Sequence, residues 1–262
     1  MKNKNYWNLR AKKNKQKIKS TTNFNLIKEF EVSILKYLFE KYLKKKNLNI
    51  LELGCGNGVN LKKLKSIFPS FKFYGIDYSE EMIKYAKKNN NNINFFLADI
   101  TKTDIYNQLP KFDVIFTNRC LINLKSENKV KLAITKSKNF LKKGGYFIFL
   151  ENFIKGHKNQ NKLRKILNLN FRKIAKFNKF LDAKSFLDYL KKNFNILENV
   201  NYSSLNDLLL YVLSPNSSSK INYNSKLQKK LIFLLINSLE KNKILLTLNY
   251  NSGQNNLIVC KR

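Results

Sequence analysis

The stretch Ile50-Leu-Glu-Leu-Gly-Cys-Gly-Asn-Gly58 decides the fold. Asn49 to Leu53 is a short apolar run interrupted by one acid and reads as a strand. Gly54, Gly56 and Gly58 break that run, and Val59 to Phe68 carries helical spacing up to Pro69. Glycines at such a turn let the chain bend tightly and let a ligand approach the backbone more closely than any Cβ permits.

Outward from this turn, the pattern of short apolar runs and helical segments continues. Lys72 to Ile76, Ile93 to Leu97, Val114 to Phe116 and Tyr146 to Leu150 read as strands two to five, the last entered through Gly144-Gly145. Glu80 to Lys88 and Ser126 to Leu141 read as helices, with the polyasparagine run Asn89 to Asn92 as a loop. Further on, Ala183 to Lys192 reads as a helix, Phe194 to Tyr202 as a strand and Asn256 to Cys260 as the final strand. Residues 205–213 and 226–240 look helical, with a Ser/Asn loop between them. Strands alternating with helices imply right-handed βαβ units and a doubly wound, mostly parallel sheet of about seven strands with helices on both faces. Residues 1–47 form an N-terminal arm and cap helix, 48–262 the main domain, and 203–255 a helical insertion before the last strand. Within the first segment, residues 1–22 carry eight basic residues and no acid, and read as a solvated arm with Trp7 as its hydrophobic anchor. Apolar residues at Leu26, Ile27, Phe30, Ile34, Leu35, Leu38 and Tyr42 place a helix over Phe24 to Leu43.

The formal charge of +34 invites a nucleic-acid reading, because clustered cations release counterions from phosphate. The excess is carried by 46 Lys against 5 Arg, alongside 40 Asn, all residues with A/T-rich codons except Arg. Base and phosphate readers lean on the bidentate fork of Arg, so we read the charge as Lys solvated on helix faces. Cys55, Cys120 and Cys260 match neither a zinc spacing nor a disulfide framework and suit a reducing compartment. No apolar run is long enough to span a membrane and no secretory leader is legible at Met1, so a cytoplasmic protein is expected.

Acids are scarce, 17 in all, yet Glu52, Asp77, Asp99 and Glu151 stand at or just past the carboxyl ends of strands one, two, three and five. In a parallel sheet those ends share one edge, where ligands bind. Asp77 follows Gly58 by 19 residues, where a carboxylate can accept both hydroxyls of a ribose; its plainer role is a helix N-cap before Ser79. A ring of carboxylates suits a ligand with ribose hydroxyls, an adenine amino group, an ammonium and a sulfonium, and suits a pyrophosphate poorly. The dinucleotide fingerprint G-x-G-x-x-G also fails, since Val59 stands where its third glycine belongs.

Five blocks in order, Ile50 to Gly58, Tyr74-Gly-Ile-Asp-Tyr-Ser79, Leu97-Ala-Asp-Ile100, Phe112-Asp-Val-Ile-Phe116 and Leu141-Lys-Lys-Gly-Gly-Tyr146, resemble the motifs of class I S-adenosylmethionine (SAM)-dependent methyltransferases, over residues 48–152. The resemblance implies a Rossmann-like fold with SAM as cofactor. It places Glu52 and the backbone of Gly54, Cys55 and Gly56 at the methionine part, Asp77 at the ribose and Tyr78 against adenine. It also places Asp99 and the Ile100 backbone at the adenine N6, and Asn118 near the ammonium and reacting methyl. Asp113 opens strand four at the opposite end and is assigned to structure.

Methyl transfer from a sulfonium is an in-line displacement in which positioning and exclusion of water supply most of the effect. A hydroxyl acceptor also benefits from a general base. His157, the only histidine, is the candidate base, against the plainer reading of a surface histidine in a mobile loop; Glu151 and Arg119 are candidates for gripping substrate. Thr117-Asn-Arg-Cys120 replaces the Asn/Asp-Pro-Pro-Tyr block of enzymes that methylate base amino groups, and no metal-ligand spacing is present. The segment from Glu151 to Leu181 is loosely similar to small-molecule members of the family. The expected acceptor is therefore a small molecule or glycan-linked group, with RNA and a non-catalytic SAM-binding subunit as the alternatives.

Overall fold

The computed structural model describes residues 2–262 other than 16, 23–24, 89, 103–104, 106–108, 216–220, 224 and 249. Some sequence expectations reach into the remainder: Met1 and Gln16 of the arm, Phe24 at the start of the entry helix, Asn89 in the polyasparagine run, and 216–220, Asn224 and Asn249 of the insertion lie outside the described residues.

The chain opens with two helices, α1 (Lys2–Asn14) and α2 (Asn25–Tyr42). Then come β1 (Asn49–Leu53), α3 (Val59–Ile67), β2 (Lys72–Asp77), α4 (Glu80–Lys88), β3 (Asn94–Leu97) and β4 (Phe112–Asn118). A short 3-10 turn at Leu121–Asn123 leads to α5 (Glu127–Lys138), β5 (Leu141–Asn152), α6 (Ile154–Ile166), α7 (Ala183–Lys191) and β6 (Asn195–Val200). Residues 203–255 hold α8 (Ser204–Leu208), a π-helical turn over Leu209–Leu213 and α9 (Lys226–Asn242), after which β7 (Asn255–Lys261) closes the sheet. Ser126, Asp182 and Ser225 cap α5, α7 and α9 by accepting the N–H groups of Lys129, Ser185 and Gln228.

The seven strands lie in the order β3-β2-β1-β4-β5-β7-β6. β7 runs antiparallel to both β5 and β6, and the rest of the sheet is parallel. Strands buried on both faces read as near-continuous apolar runs, because alternate side chains enter different cores. Ile50, Phe73, Phe116 and Ile148 point into one core, under α2, α3, α4 and α9. Leu51, Ile76, Ile115 and Phe149 point into the other, under α5 and α7. Each fully buried Leu or Phe contributes roughly 1.5–3 kcal/mol. The order reverses between β1 and β4, which is where an open α/β sheet offers a crevice.

The described residues between 2 and 22 correct the expectation of a solvated arm. Lys2–Asn14 is a helix laid across α4: the Ser79 hydroxyl donates to Asn8 Oδ1 (2.6 Å), Lys4 pairs with Glu80 (2.6 Å) and Ala11 is fully buried. Tyr6 stacks on Phe177 at 4.1 Å, and Trp7 meets the same ring edge-on at 5.7 Å, so Trp7 is indeed an anchor. Asp113 accepts the Asn49 N–H (2.8 Å) and pairs with Lys142 (2.9 Å), a structural role as expected.

Candidate active site

β1, β2, β3 and β4 end at one edge. Leu53 pairs with Ile76 and Thr117, and Asp77 with Leu97. Over that edge lies a cavity of about 370 Å³, lined among others by Glu52, Gly54, Cys55, Gly56, Asp77 and Asp99. Gly54 (φ +70°) and Gly56 (φ +55°) hold left-handed conformations, and a Cβ on them would come within 2.4 Å of Cys120 Sγ and 2.7 Å of Thr21 Cγ2. The bend brings the Gly56 N–H to Asp77 Oδ2 (2.9 Å), while the Ser79 N–H donates to Oδ1 (2.9 Å). Burial nevertheless pushes the Asp77 carboxyl up to about 6. Glu52 Oε1 accepts from Asn60 Nδ2 (2.7 Å), and its buried Oε2 has no partner. Burial lifts the Glu52 carboxyl above the usual carboxylate range, against the pull of the Lys28 ammonium. Cys55 and Cys120 flank the turn, and burial together with the neighbouring carboxylates pushes both thiols up, so they stay protonated.

The floor of the cavity holds charges that come from α2. Glu31 Oε2 accepts from Asn118 Nδ2 (2.9 Å), pairs with Arg119 Nη2 (3.1 Å) and lies 3.5 Å from Lys28 Nζ. Lys28 and Glu31 are both buried, and desolvation lowers the pKa of Lys28 despite Glu31. Arg119 follows β4 in a left-handed conformation (φ +53°), a strained setting for a residue with a Cβ. Glu151 fastens this corner from behind, its Oε1 accepting the N–H groups of Cys120 (2.9 Å) and Leu121 (3.0 Å).

A second cavity of about 290 Å³ shares Trp7, Thr21, Arg119 and Asn123 with the first. The far side of this cavity is formed by α6, the segment after it and α8, through His157, Arg172, Phe177 and Asp207. His157 lies on α6 and is buried, which corrects the mobile-loop reading. Its Nε2 lies 3.1 Å from the Arg172 carbonyl, so Nε2 carries the proton and the unpartnered Nδ1 carries the lone pair. Burial, aided by the Arg172 charge, lowers its pKa from 6.5 and keeps the ring neutral.

A methyltransferase domain family matches residues 44–251, most of the chain. The chain belongs to the class I methyltransferases that use SAM. Among curated relatives, it is 30% identical over 156 residues to malonyl-[acyl-carrier protein] O-methyltransferase 1 of Ilyobacter polytropus, covering 58% of this chain and 55% of that protein. It is 34% identical over 96 residues to a malonyl-[acyl-carrier protein] O-methyltransferase of Bacillus anthracis, covering 36% and 35%. The matches thus span about a third to just over half of the length of these relatives. In fold, it is similar to the plantazolicin methyltransferase solved with S-adenosylhomocysteine (SAH), with a TM-score of 0.57 at 15% identity over 99% of this chain and 96% of that one.

The methyl donor of this methyltransferase is SAM, and the cavity fits that molecule. Glu52 Oε2 and Asn118 Oδ1 are buried acceptors without a partner, as an ammonium requires, and the left-handed glycines leave a cradle that a Cβ would fill. All nine residues expected at the cofactor line this one cavity: Glu52, Gly54, Cys55, Gly56, Asp77, Tyr78, Asp99, Ile100 and Asn118. Of the three substrate-side candidates, Arg119 lines both cavities, His157 the second, and Glu151 neither. Sequence reading missed Lys28, Arg10 and Arg172. Lys28 and Glu31 had a signal: two charges spaced i, i+3 within the apolar stripe of α2. Arg172 had none beyond being one of five arginines.

Proposed function

We propose that this methyltransferase transfers the methyl group of SAM to a small-molecule or glycan-linked acceptor seated in the second cavity, at oxygen or nitrogen. The observation that carries this reading is the shared wall: Arg119, Trp7, Thr21 and Asn123 border both chambers, so an acceptor in one faces a donor in the other. When bound, SAM supplies an electrophilic methyl on a sulfonium. Glu52 and Asn118 receive the ammonium, Asp77 the ribose hydroxyls, and Asp99 with the Ile100 backbone the adenine amino group, while Tyr78 flanks the base. His157 Nδ1 takes the acceptor's proton, and Glu151 acts through the Cys120-Leu121 turn to position Arg119. Relatives named as malonyl-[acyl-carrier protein] O-methyltransferases support an oxygen acceptor. We place the enzyme in the cytoplasm, which suits three free cysteines; among the described residues no helix is long and apolar enough to cross a membrane.

The test incubates the full chain with methyl-labelled SAM and, separately, hydroxylated acids, sugar acids, amino sugars and tRNA, with mass spectrometry as the readout. Labelled product is expected from a small molecule, and transfer to tRNA alone would overturn the acceptor class. His157→Asn should lower kcat by about 10²-fold or more without changing SAH affinity; an unchanged kcat removes His157 as the base.

A further inference from the structure

The chain carries 46 Lys and 5 Arg, so an arginine is the exception wherever it stands. Three of the five, Arg10, Arg119 and Arg172, line the second cavity. The other two serve backbone carbonyls: Arg164 donates to Asn170 O and Tyr211 O, and Arg262 to Lys138 O and Leu141 O. Lys173 adds a fourth cation to the cavity lining, and among the described residues Asp207 is its one acid. That acid is already engaged, accepting from the Ser203 hydroxyl (2.8 Å), Asn206 Nδ2 (2.9 Å) and the Gln254 N–H (2.8 Å).

Arg172 is held by uncharged groups. Its guanidinium donates to Gln160 Oε1 and to Gln254 Oε1 (3.4 Å) and lies 3.4 Å from the centre of the Tyr211 ring. A guanidinium fixed by amide oxygens and an aromatic face is held in one orientation, and although the Asp207 charge is within electrostatic reach of Arg172, the hydrogen bonds of the guanidinium go to the two glutamines rather than to that carboxylate. Arg119 is paired with Glu31 through Nη2 and stands where the two cavities meet. Tyr211 lies within electrostatic reach of both Arg119 and Arg172, so the two charges act on one space. Planar forks of this kind recognise carboxylate and phosphate oxygens bidentately, which an ammonium does not.

We infer that the second cavity is an oxyanion subsite: the acceptor carries a carboxylate or phosphate monoester, gripped by Arg172 and Arg119, with Arg10 and Lys173 reinforcing the field. This deepens the proposed function and rests on it, since the anion is the handle that holds the acceptor beside the donor cavity. A fixed anion at the shared wall orients the acceptor atom toward the methyl, and orientation is the main contribution such an enzyme makes.

The experiment is calorimetry on the full chain saturated with SAH, titrated at constant ionic strength with succinate, with inorganic phosphate and with uncharged succinamide. One oxyanion per chain should bind while succinamide does not; the stronger of the two anions tells carboxylate from phosphate. Arg172→Gln should weaken that binding at least tenfold, Arg172→Lys should weaken it less, and both should keep wild-type SAH affinity, which also shows that they fold. Arg262→Gln, which removes one charge on the opposite edge of the sheet, should leave anion binding unchanged. Absence of anion binding to the SAH complex overturns the subsite and leaves the methyltransferase reading standing, whereas failure of wild type to bind SAH sinks that reading. Equal weakening by Arg172→Gln and Arg262→Gln, or stoichiometric displacement of succinate by an RNA oligonucleotide, also overturns the subsite.

Discussion

Glu52 and Asp77 are carboxylates that the fold buries, and their protonation links stability to ligand affinity with opposite signs. Burial raises the Asp77 pKa from 3.8 to about 6. A raised carboxyl binds more protons folded than unfolded, so its contribution to stability is fully present below pH 3.8 and is lost as pH rises through about 6. Glu52 shifts in the same direction. SAH affinity should move the other way, because ionised carboxylates are the better acceptors for hydroxyls and an ammonium. Between pH 5 and pH 8, the unliganded chain should lose thermal stability while SAH binds more tightly; stability and affinity both rising, or both falling, would contradict the assigned contacts. Glu52→Gln should weaken SAH by about 10- to 100-fold, the worth of a charge-assisted hydrogen bond, yet leave the unliganded melting temperature unchanged or higher. These two residues were legible in the sequence, because scarce acids at strand ends converge wherever strands are parallel. Arg10 and Arg172 were not legible as site residues, since their place depends on how the N-terminal segment and the segment after α6 fold back over the sheet edge, whereas Lys28 left a signal in the apolar stripe of α2 that the reading passed over.

The same distinction holds between elements. From β1 through β5 each strand and intervening helix could be read locally, because each buries an apolar face that its own spacing announces. α1 and α6 could not. The inward residues of α6 include His157, Gln160 and Arg164, so it has no apolar period to find. α1 is rich in Lys and Asn, and it is held by partners far along the chain, Ser79 and Phe177. Tertiary contact rather than local preference makes this segment a helix. Asn3, Lys4 and Trp7 form part of the donor cavity wall, so a shift of α1 is the expected route of ligand exchange. Aromatic pairs such as Trp7 with Phe177 and Tyr6 contribute about 0.5–1.5 kcal/mol each. Trp7→Ala should accordingly speed SAH dissociation by about five- to tenfold in stopped-flow measurements, with the association rate less affected. An unchanged dissociation rate would mean that α1 is a fixed wall, and exchange must use another route.

At the scale of the molecule, 51 bases against 17 acids leave a net excess of 34 positive charges, and mutual repulsion among them opposes the compact state. The Debye length shrinks from about 30 Å at 0.01 M salt to about 10 Å at 0.1 M, so added salt should relieve that repulsion. The thermal midpoint should rise by several degrees over this range, at about 2–4 °C for each kcal/mol gained in a domain of this size. Most natural surfaces, with charges of both signs, would show less. The same positive field draws RNA without reading it, and each phosphate contact so made is lost steeply with salt. A tRNA should therefore bind at low ionic strength, release near 0.2 M and accept no methyl group, while SAH affinity, set by buried contacts, changes little across the series. If instead the midpoint falls with salt and tRNA is retained and methylated at 0.2 M, the surplus lysines are a recognition surface and the small-acceptor reading gives way to an RNA one.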